Sequence, residues 1–138
     1  MFPAIFSECQ QALGMESGII PNEQISASSQ WDINHAAIQS RLNFEAKRSK
    51  AGSWSARRND ADQWLQIDTN NQLTNITGVA TQGRNNYRQW VTRYRLRYSD
   101  DGNHFQYYMD QANSVIKVKR TCWKSPSLHH SLQILILP

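Results

Sequence analysis

The side chains of this chain that are best suited to chemistry are aromatic, amide and cationic groups in three short polar segments. In the first segment Trp31 stands beside Asp32. An indole among polar neighbours suits insertion into a lipid interface or stacking on a sugar ring. The alternative is a Trp folded back onto the rim of the core. Groups of this kind recognise a ligand and do not by themselves make or break bonds.

The other two segments carry amides and positive charge. Residues 84–88 read Arg-Asn-Asn-Tyr-Arg. Amides beside an aromatic ring recognise hydroxyl groups, and arginines suit phosphate, sulfate or carboxylate. Arg84, which follows a predicted strand, is expected to hold neighbouring loops instead. The predicted ligand-binding residues are Trp31, Asp32, Lys47, Arg48, Lys50, Asn85, Asn86, Tyr87 and Arg88.

Catalytic and metal-binding motifs are not evident in the sequence. The four histidines have no metal-ligand spacing to a cysteine or a carboxylate run. Asp60, Asp62 and Asp68 lack the ordered ligand pattern of a calcium loop. No nucleophile elbow or glycine-rich phosphate loop occurs. The sequence therefore predicts a protein that is not an enzyme and uses no metal or cofactor.

Length and charge limit the class of protein. The chain has 138 residues, enough for one domain, and a formal net charge of +4. The segment 41–58 contains six basic residues and only one acidic residue. Such a cluster favours sulfated glycans, acidic lipid headgroups or nucleic acid, or else it is a solvated loop. No run approaches the roughly 20 apolar residues of a membrane span, and no signal peptide is visible.

Short alternating runs predict an all-β fold. Strands are expected at 24–28, 64–68, 75–81, 91–99, 105–108 and 114–118. In 91–99 one face carries Thr92, Tyr94, Leu96 and Tyr98, and the other carries Arg93, Arg95 and Arg97. We expect these arginines to pair with acids on adjacent strands, the alternative being contact with a heparin-like chain. The predicted loops are loop 1 (29–41), loop 2 (45–62) and loop 3 (84–89).

Four runs in this order resemble one family. They are 13–28, ending Ile-Ser-Ala-Ser; 64–68, Trp-Leu-Gln-Ile-Asp; 79–84, Val-Ala-Thr-Gln-Gly-Arg; and 90–102, Trp-Val-Thr-Arg-Tyr-Arg-Leu-Arg-Tyr-Ser-Asp-Asp-Gly. Together they resemble a discoidin domain, or coagulation-factor 5/8 type C domain. The resemblance implies a jelly-roll β-sandwich of two antiparallel sheets, with loops 1 to 3 as binding tips gathered at one end. It also implies an extracellular or cell-surface location.

The resemblance extends over about residues 9–118. We therefore expect an N-terminal extension (1–8), a discoidin domain (9–118) and an atypical tail (119–138), with the family's C-terminal strands missing or replaced. The closing cysteine, which the resemblance implies as partner of Cys9, is absent from its usual place, and whether Cys122 substitutes is open. Residues 133–137 are a candidate replacement strand, but an alternatively spliced, frameshifted or mispredicted end is the simpler and favoured explanation of the tail.

These observations predict a non-catalytic adhesion module. Its partners are expected to be anionic phospholipid, a glycan, or a matrix or cell-surface protein such as collagen. The alternative is a carbohydrate-targeting accessory module of a larger enzyme or receptor. Nucleic acid is the least favoured partner, because the chain has no recognised nucleic-acid-binding motif.

Overall fold

Strands and short turns dominate the architecture. The computed structural model describes residues 12–70, 74, 76, 78–108, 121–122 and 131–137. The strands within these ranges are β1 (Ile25–Ala27), β2 (Trp64–Asp68), β3 (Gly78–Val79), β4 (Arg93–Ser99), β5 (Gln106–Tyr107), β6 (Thr121–Cys122) and β7 (Ser131–Leu137). The described ranges also contain three 3₁₀ helices, all between residues 22 and 40. They are Asn22–Gln24, Ile33–His35 and Ala37–Ser40.

The strands form two antiparallel sheets. The larger has the order β1-β2-β7-β4-β5, and the smaller pairs β3 with β6. The all-β prediction is confirmed: β2 has the predicted bounds, and β1, β3, β4 and β5 lie inside the predicted runs. The run predicted at 114–118 lies outside the described residues, and so does Cys9, the candidate partner of Cys122.

The alternation of β4 places one face in the core. Tyr94 and Leu96 are 2% and 3% exposed, whereas Arg93 and Arg95 are exposed. Thr92 was predicted to share the core face, but it is exposed. The reason is that β4 begins one residue later, where Arg93 pairs with Leu137. Residues that precede the hydrogen-bonded part of a strand need not follow the alternation of buried and exposed side chains.

Two apolar clusters fill the interior. In the first, Tyr94 and Leu96 of the larger sheet pack with Ile76, and Val79 of β3 lies against them, so this cluster joins the two sheets. The second consists of Ile20, Ile25 and Leu65, covered by residues that include Met15, Ala37 and Trp54. The second cluster thus ties β1 and β2 to the N-terminal segment and to the loops.

The strand β7 occupies the middle of the larger sheet. It pairs with β2 from Trp64↔Leu135 to Asp68↔Ser131 and with β4 from Arg93↔Leu137 to Ser99↔Ser131. The sequence analysis assigned residues 119–138 to an atypical tail and named 133–137 as a candidate replacement strand; the structure pairs residues 131–137 in the larger sheet as β7. The physical reason is that β2 and β4 would each leave one edge unpaired without β7, a strand in which five of the seven residues are apolar.

Proline in β7 will disrupt the sheet. Because β7 is paired on both sides, the N–H of Ile134 bonds to one neighbour or the other, and proline removes that donor and blocks the pairing. We expect Ile134→Pro to lower the free energy of unfolding by about 3 kcal/mol or more, measured by urea denaturation. Ile134→Val keeps the N–H, so it is the matched control and is expected to unfold at a clearly higher urea concentration than Ile134→Pro. Equal unfolding midpoints for the two variants would contradict this arrangement.

The turn between β4 and β5 is organised by one carboxylate. Oδ1 of Asp101 accepts the backbone N–H groups of Asn103 and His104, both at 2.8 Å, and Oδ2 lies 2.6 Å from Nδ1 of His104. The hydrogen bond to His104 is the main cause that holds the pKa of Asp101 well below its usual range. The same bond raises the pKa of His104.

This pair has a definite pH signature. The contribution of His104 to stability is complete below its unfolded-state pKa and is lost as pH rises through its higher folded-state pKa. The contribution of Asp101 is lost as pH falls through its depressed folded-state pKa. We expect Asp101→Asn to return the pKa of His104 toward 6.5, as followed by NMR titration of the imidazole. An unchanged His104 titration curve would show that the carboxylate is not the cause.

Candidate functional site

The sheet topology brings the three predicted loops to one end of the larger sheet, where β1 finishes and β2 and β4 begin. Loop 1 leaves the end of β1, and loop 2 leads into the start of β2, which is antiparallel to β1. The strands β2 and β4 are both antiparallel to β7 and are therefore parallel to each other. Loop 3 leads into the start of β4, so it lies at the same end of the sheet as the other two loops.

Backbone hydrogen bonds join loop 1 to loop 2. The N–H of Trp31 donates to the carbonyl of Ser55 at 2.8 Å, and the N–H of Ala51 donates to the carbonyl of Asn34 at 2.9 Å. A third bond runs from the N–H of Ser55 to the carbonyl of His35 at 3.3 Å. Trp31 is therefore fixed by its backbone while its side chain is left to project.

A buried amide anchors the roots of the same two loops. Oε1 of Gln63, a residue only 7% exposed, accepts the hydroxyl groups of Ser28 and Ser29, and its Nε2 donates to Oδ1 of Asp60 at 2.6 Å. That hydrogen bond is the main cause that lowers the pKa of Asp60. Trp54 Nε1 donates to the carbonyl of Ser29 at 2.8 Å. These bonds fix where loop 1 leaves the sheet.

Asp32 shapes loop 1 from within. Its Oδ1 accepts the backbone N–H of Asn34 at 2.8 Å and lies 2.7 Å from Nδ1 of His35. It thereby caps the 3₁₀ helix Ile33–His35. The hydrogen bond with His35 is the main cause that lowers the pKa of Asp32. Asp32 was predicted as a ligand-binding residue; its contacts here are those of a residue that positions the loop.

The predicted cations of loop 2 stand on a tight turn. Lys47 and Lys50 exchange both backbone hydrogen bonds, at 3.1 and 2.9 Å. Arg48 between them has a φ of 53°, a left-handed conformation that is uncommon for a residue with a side chain. All three cations are exposed. The turn therefore concentrates three positive charges at one projecting point.

Loop 3 is closed by Arg84. Its N–H donates to the carbonyl of Gln89 at 2.9 Å, and its Nη1 donates to Oε1 of the same residue at 3.0 Å. The guanidinium lies over the ring of Tyr87, 4.2 Å from the centroid, a cation–π geometry. Arg84 thus holds Tyr87 in place, while Asn86 and Arg88 are exposed beside it.

Loop 3 also lies directly against loop 2. A methyl group added at the buried Gly52 would overlap Oδ1 of Asn85. The same methyl group would be 3.3 Å from the backbone nitrogen of Ala46. The absence of a side chain at Gly52 is therefore what allows loop 3 to approach loop 2. Together with the hydrogen bonds between loops 1 and 2, this contact makes one continuous surface of the three loops, which we call the loop surface.

Large apolar side chains project from the loop surface. Trp31 is 65% exposed and Tyr87 is 62% exposed. Two further residues, Ile33 at 68% and Trp90 at 64%, were missed by the sequence analysis. Trp90 follows loop 3 directly, and it could have been recognised from the sequence as an aromatic residue that precedes the alternating run of β4. Ile33 was harder to recognise, because the only indication was an aliphatic residue two positions after Trp31.

One member of the basic cluster faces inward. The guanidinium of Arg41 donates to the carbonyl oxygens of Met15 and Ile20, at 2.9 and 2.7 Å, and to Oδ1 of Asn22 at 2.8 Å. Arg41 therefore fastens the N-terminal segment to the domain. The positive charge available to a partner comes mainly from the turn at 47–50 and from residues 57 and 58.

Neither a metal-binding cluster nor a membrane-spanning helix occurs in the described ranges. Within them no group of three or more His, Cys, Asp or Glu residues is placed to hold a metal ion. No helix in this part of the chain is long and apolar enough to cross a bilayer. The site residues predicted from the sequence are mostly placed on the loop surface, and their roles in binding stay predictions.

The chain belongs to the F5/8 type C domain family, whose model matches residues 24–129. Lactadherin from Sus scrofa is 33% identical over 144 residues, which cover 94% of this chain and 35% of lactadherin. Coagulation factor V from Sus scrofa is 37% identical over 116 residues, 80% of this chain and 5% of factor V. The chain thus spans about a third or less of these relatives.

Solved structures show the same fold. Discoidin II of Dictyostelium discoideum superposes with a TM-score of 0.69 at 23% identity, over 82% of this chain and 48% of that one. The lectin-binding domain of lectinolysin complexed with Lewis b gives a TM-score of 0.55 at 13% identity, covering 88% of this chain and 85% of that one. The predicted discoidin-type jelly roll is therefore confirmed.

The contact between loops 2 and 3 is testable by a double-mutant cycle. Gly52→Ala forces a methyl group against Asn85 and is expected to lower the free energy of unfolding by about 1–3 kcal/mol. Asn85→Ala removes the overlapping amide, so the same Gly52→Ala change should cost at least about 1 kcal/mol less in that background. Thermal unfolding of the four proteins gives the coupling energy. A coupling energy near zero would mean that the two loops do not touch.

Proposed function

We propose that this domain is a non-catalytic binding module that attaches to anionic phospholipid surfaces outside the cell, with the loop surface as the contact. The observations that carry the proposal are four large apolar side chains in or directly after loops 1 and 3, each at least 62% exposed, and the exposed cationic turn of loop 2. Exposed apolar groups of this size on a soluble fold mark an interaction site.

The mixture of residue types favours a membrane over a sugar. Ile33 has neither an aromatic face nor a hydrogen-bonding group, so it offers little to a sugar ring but enters hydrocarbon readily. Trp31, Tyr87 and Trp90 suit the interfacial region of a bilayer, where an apolar ring and a polar edge are both accommodated. The cations at 47–50 are each worth about 1 kcal/mol beside anionic lipid.

The fixed backbone of the loops supports the same role. Trp31 is held by its bond to Ser55, and Tyr87 is held by Arg84. A side chain that projects from a fixed backbone loses little conformational freedom when it inserts. The rigid sandwich thus presents apolar tips that are arranged before the ligand arrives.

A glycan is the second candidate, because Asn86, Tyr87 and Arg88 are exposed together and combine an amide, a ring and a guanidinium. In that case the domain would target a larger enzyme or receptor to carbohydrate, and a matrix or cell-surface protein would engage the same residues. The solved structures with glycans in their titles are under 25% identical and support this candidate only through the fold.

Vesicle binding tests the proposal with a matched pair of variants. Ile33→Ser in loop 1 is expected to weaken binding to phosphatidylserine vesicles about five- to tenfold, because an inserting aliphatic group becomes polar. Ile19→Ser removes an equally exposed isoleucine, 77% against 68%, outside the three loops and should leave binding unchanged. Co-sedimentation at increasing salt measures both effects, and salt should weaken binding through the cations at 47–50.

Two outcomes oppose the membrane role. Equal vesicle affinities for the two variants would show that loop 1 does not insert. Strong binding to a neutral glycan panel, lost in Tyr87→Ala and unaffected by Ile33→Ser, would assign the loop surface to carbohydrate. Thermal unfolding of each variant confirms that a loss of binding does not come from unfolding.

A further inference from the structure

Loop 2 contains two pairs of adjacent basic residues, Lys47-Arg48 and Arg57-Arg58. All four residues are exposed. Exposed arginine is the residue that an endoprotease recognises when its specificity pocket holds an acid. Exposure alone does not make a cleavage site, because the backbone around the bond must also be free of hydrogen bonds that would hold it in the fold. The two pairs differ in this respect.

The backbone of the first pair is closed into a turn. Lys47 and Lys50 exchange both backbone hydrogen bonds, at 3.1 and 2.9 Å. Arg48 has a φ of 53°, a left-handed conformation that an extended segment does not contain. An enzyme that binds its substrate as an extended segment could engage this pair only after both bonds had opened and Arg48 had changed conformation.

The backbone of the second pair is much less restrained. Among the described residues, the one backbone hydrogen bond made within 56–59 runs from the N–H of Arg57 to Oγ of Ser29, at 3.0 Å. No residue of this run has a positive φ. The carbonyl of Arg58 and the N–H of Asn59 therefore have no hydrogen-bond partner in the part of the chain that the structure describes. These two groups belong to the same peptide bond, and both residues are exposed.

The arginines outside loop 2 lie in backbone that is held more firmly. Those of β4 belong to a strand that is paired with β7 along its length. Arg88 lies within loop 3, whose ends are joined by the hydrogen bond between the N–H of Arg84 and the carbonyl of Gln89. The guanidinium of Arg41 is bonded to the N-terminal segment. Within the described ranges, the bond after Arg58 thus combines exposed arginine with unbonded backbone.

From this arrangement we infer that the peptide bond between Arg58 and Asn59 is a proteolytic processing site for an endoprotease that cleaves after arginine. In the reaction the oxygen of a water molecule adds to the carbonyl carbon of Arg58, and the bond from that carbon to the nitrogen of Asn59 breaks. Both protons of the water pass to this nitrogen. Arg58 then ends in a carboxylate and Asn59 begins with an ammonium group. The site does not depend on which ligand the loop surface binds.

The two parts of a cleaved chain, 1–58 and 59–138, would remain joined by the fold. The strand β1 in the first part pairs with β2 in the second. Ile25 and Leu65, one from each part, belong to the same buried cluster. The hydroxyl of Ser28 donates to Oε1 of Gln63 at 2.9 Å across the same division. Cleavage therefore opens loop 2 and produces a two-chain domain in which loop 1 stays attached to the sheet.

Limited digestion of the full chain with trypsin tests the inference, with each fragment assigned by mass so that cuts outside loop 2 do not enter the comparison. We expect the bond after Arg58 to be cut at least about tenfold faster than the bond after Arg48, because the turn at 47–50 must open first. Arg58→Gln should slow cleavage after residue 58 at least about tenfold, since glutamine cannot pair with the acid of the enzyme pocket. The matched variant Arg48→Gln should leave that rate unchanged.

A synthetic peptide of residues 41–62 contains both basic pairs without the fold, and in it the preference for Arg58 should disappear. Chromatography of the cleaved protein in native buffer with a reductant should give one peak at the volume of the intact chain, although a denaturing gel shows two fragments. Faster cleavage after Arg48 in the folded chain, an unchanged rate in Arg58→Gln, or the same preference in the peptide would overturn the processing site. Separation of the fragments on the native column would overturn the two-chain domain.

Discussion

The pairing of β7 with both β2 and β4 is the constraint on which the rest of the structure depends. Without it the larger sheet would separate into a β1–β2 pair and a β4–β5 pair. Loops 1 and 2 are attached to the first pair, and loop 3 is attached to the second. Because adjacent strands are about 4.8 Å apart, one intervening strand sets the distance between the roots of loops 2 and 3. The central strand therefore determines whether one loop surface exists.

Within the larger sheet, the three loops are positioned mainly by contacts of their backbone groups. Loops 1 and 2 are joined through main-chain hydrogen bonds, and loops 2 and 3 meet where Gly52 has no side chain. The buried side chain of Gln63 assists by bonding to Ser28 and Asp60 at the roots of loops 1 and 2. At the tips, Asp32 and Arg84 also position their loops, whereas Trp31 is held through its backbone. A sandwich built in this way can carry tips of different chemistry.

Two basic regions of the domain differ in what surrounds the charge. At the turn of loop 2 two lysines and one arginine are exposed at one projecting point. On β4, Arg95 and Arg97 instead lie near the rings of Tyr107 and Phe105. Positive charge is thus placed among different neighbours in the two regions.

Local pattern was enough to establish much of this fold. The alternation around Tyr94 and Leu96 predicted β4 and its buried face, since a strand turns successive side chains to opposite sides. The run at 64–68 predicted β2 with its bounds. The polar segments between the strands predicted the three loops and the exposed positions of Trp31 and Tyr87.

Other features depend on contacts between distant parts of the chain, which no local pattern contains. The place of residues 131–137 at the centre of the sheet is decided by the unpaired edges of β2 and β4. The inward turn of Arg41 is decided by the carbonyl groups of Met15 and Ile20. The exposure of Ile33 and Trp90 is likewise decided by how the loops pack. Sequence alone indicated β1 to β5 and the three loops; tertiary structure decided that β6 and β7 form and which strands meet, because burial and pairing are properties of the whole fold.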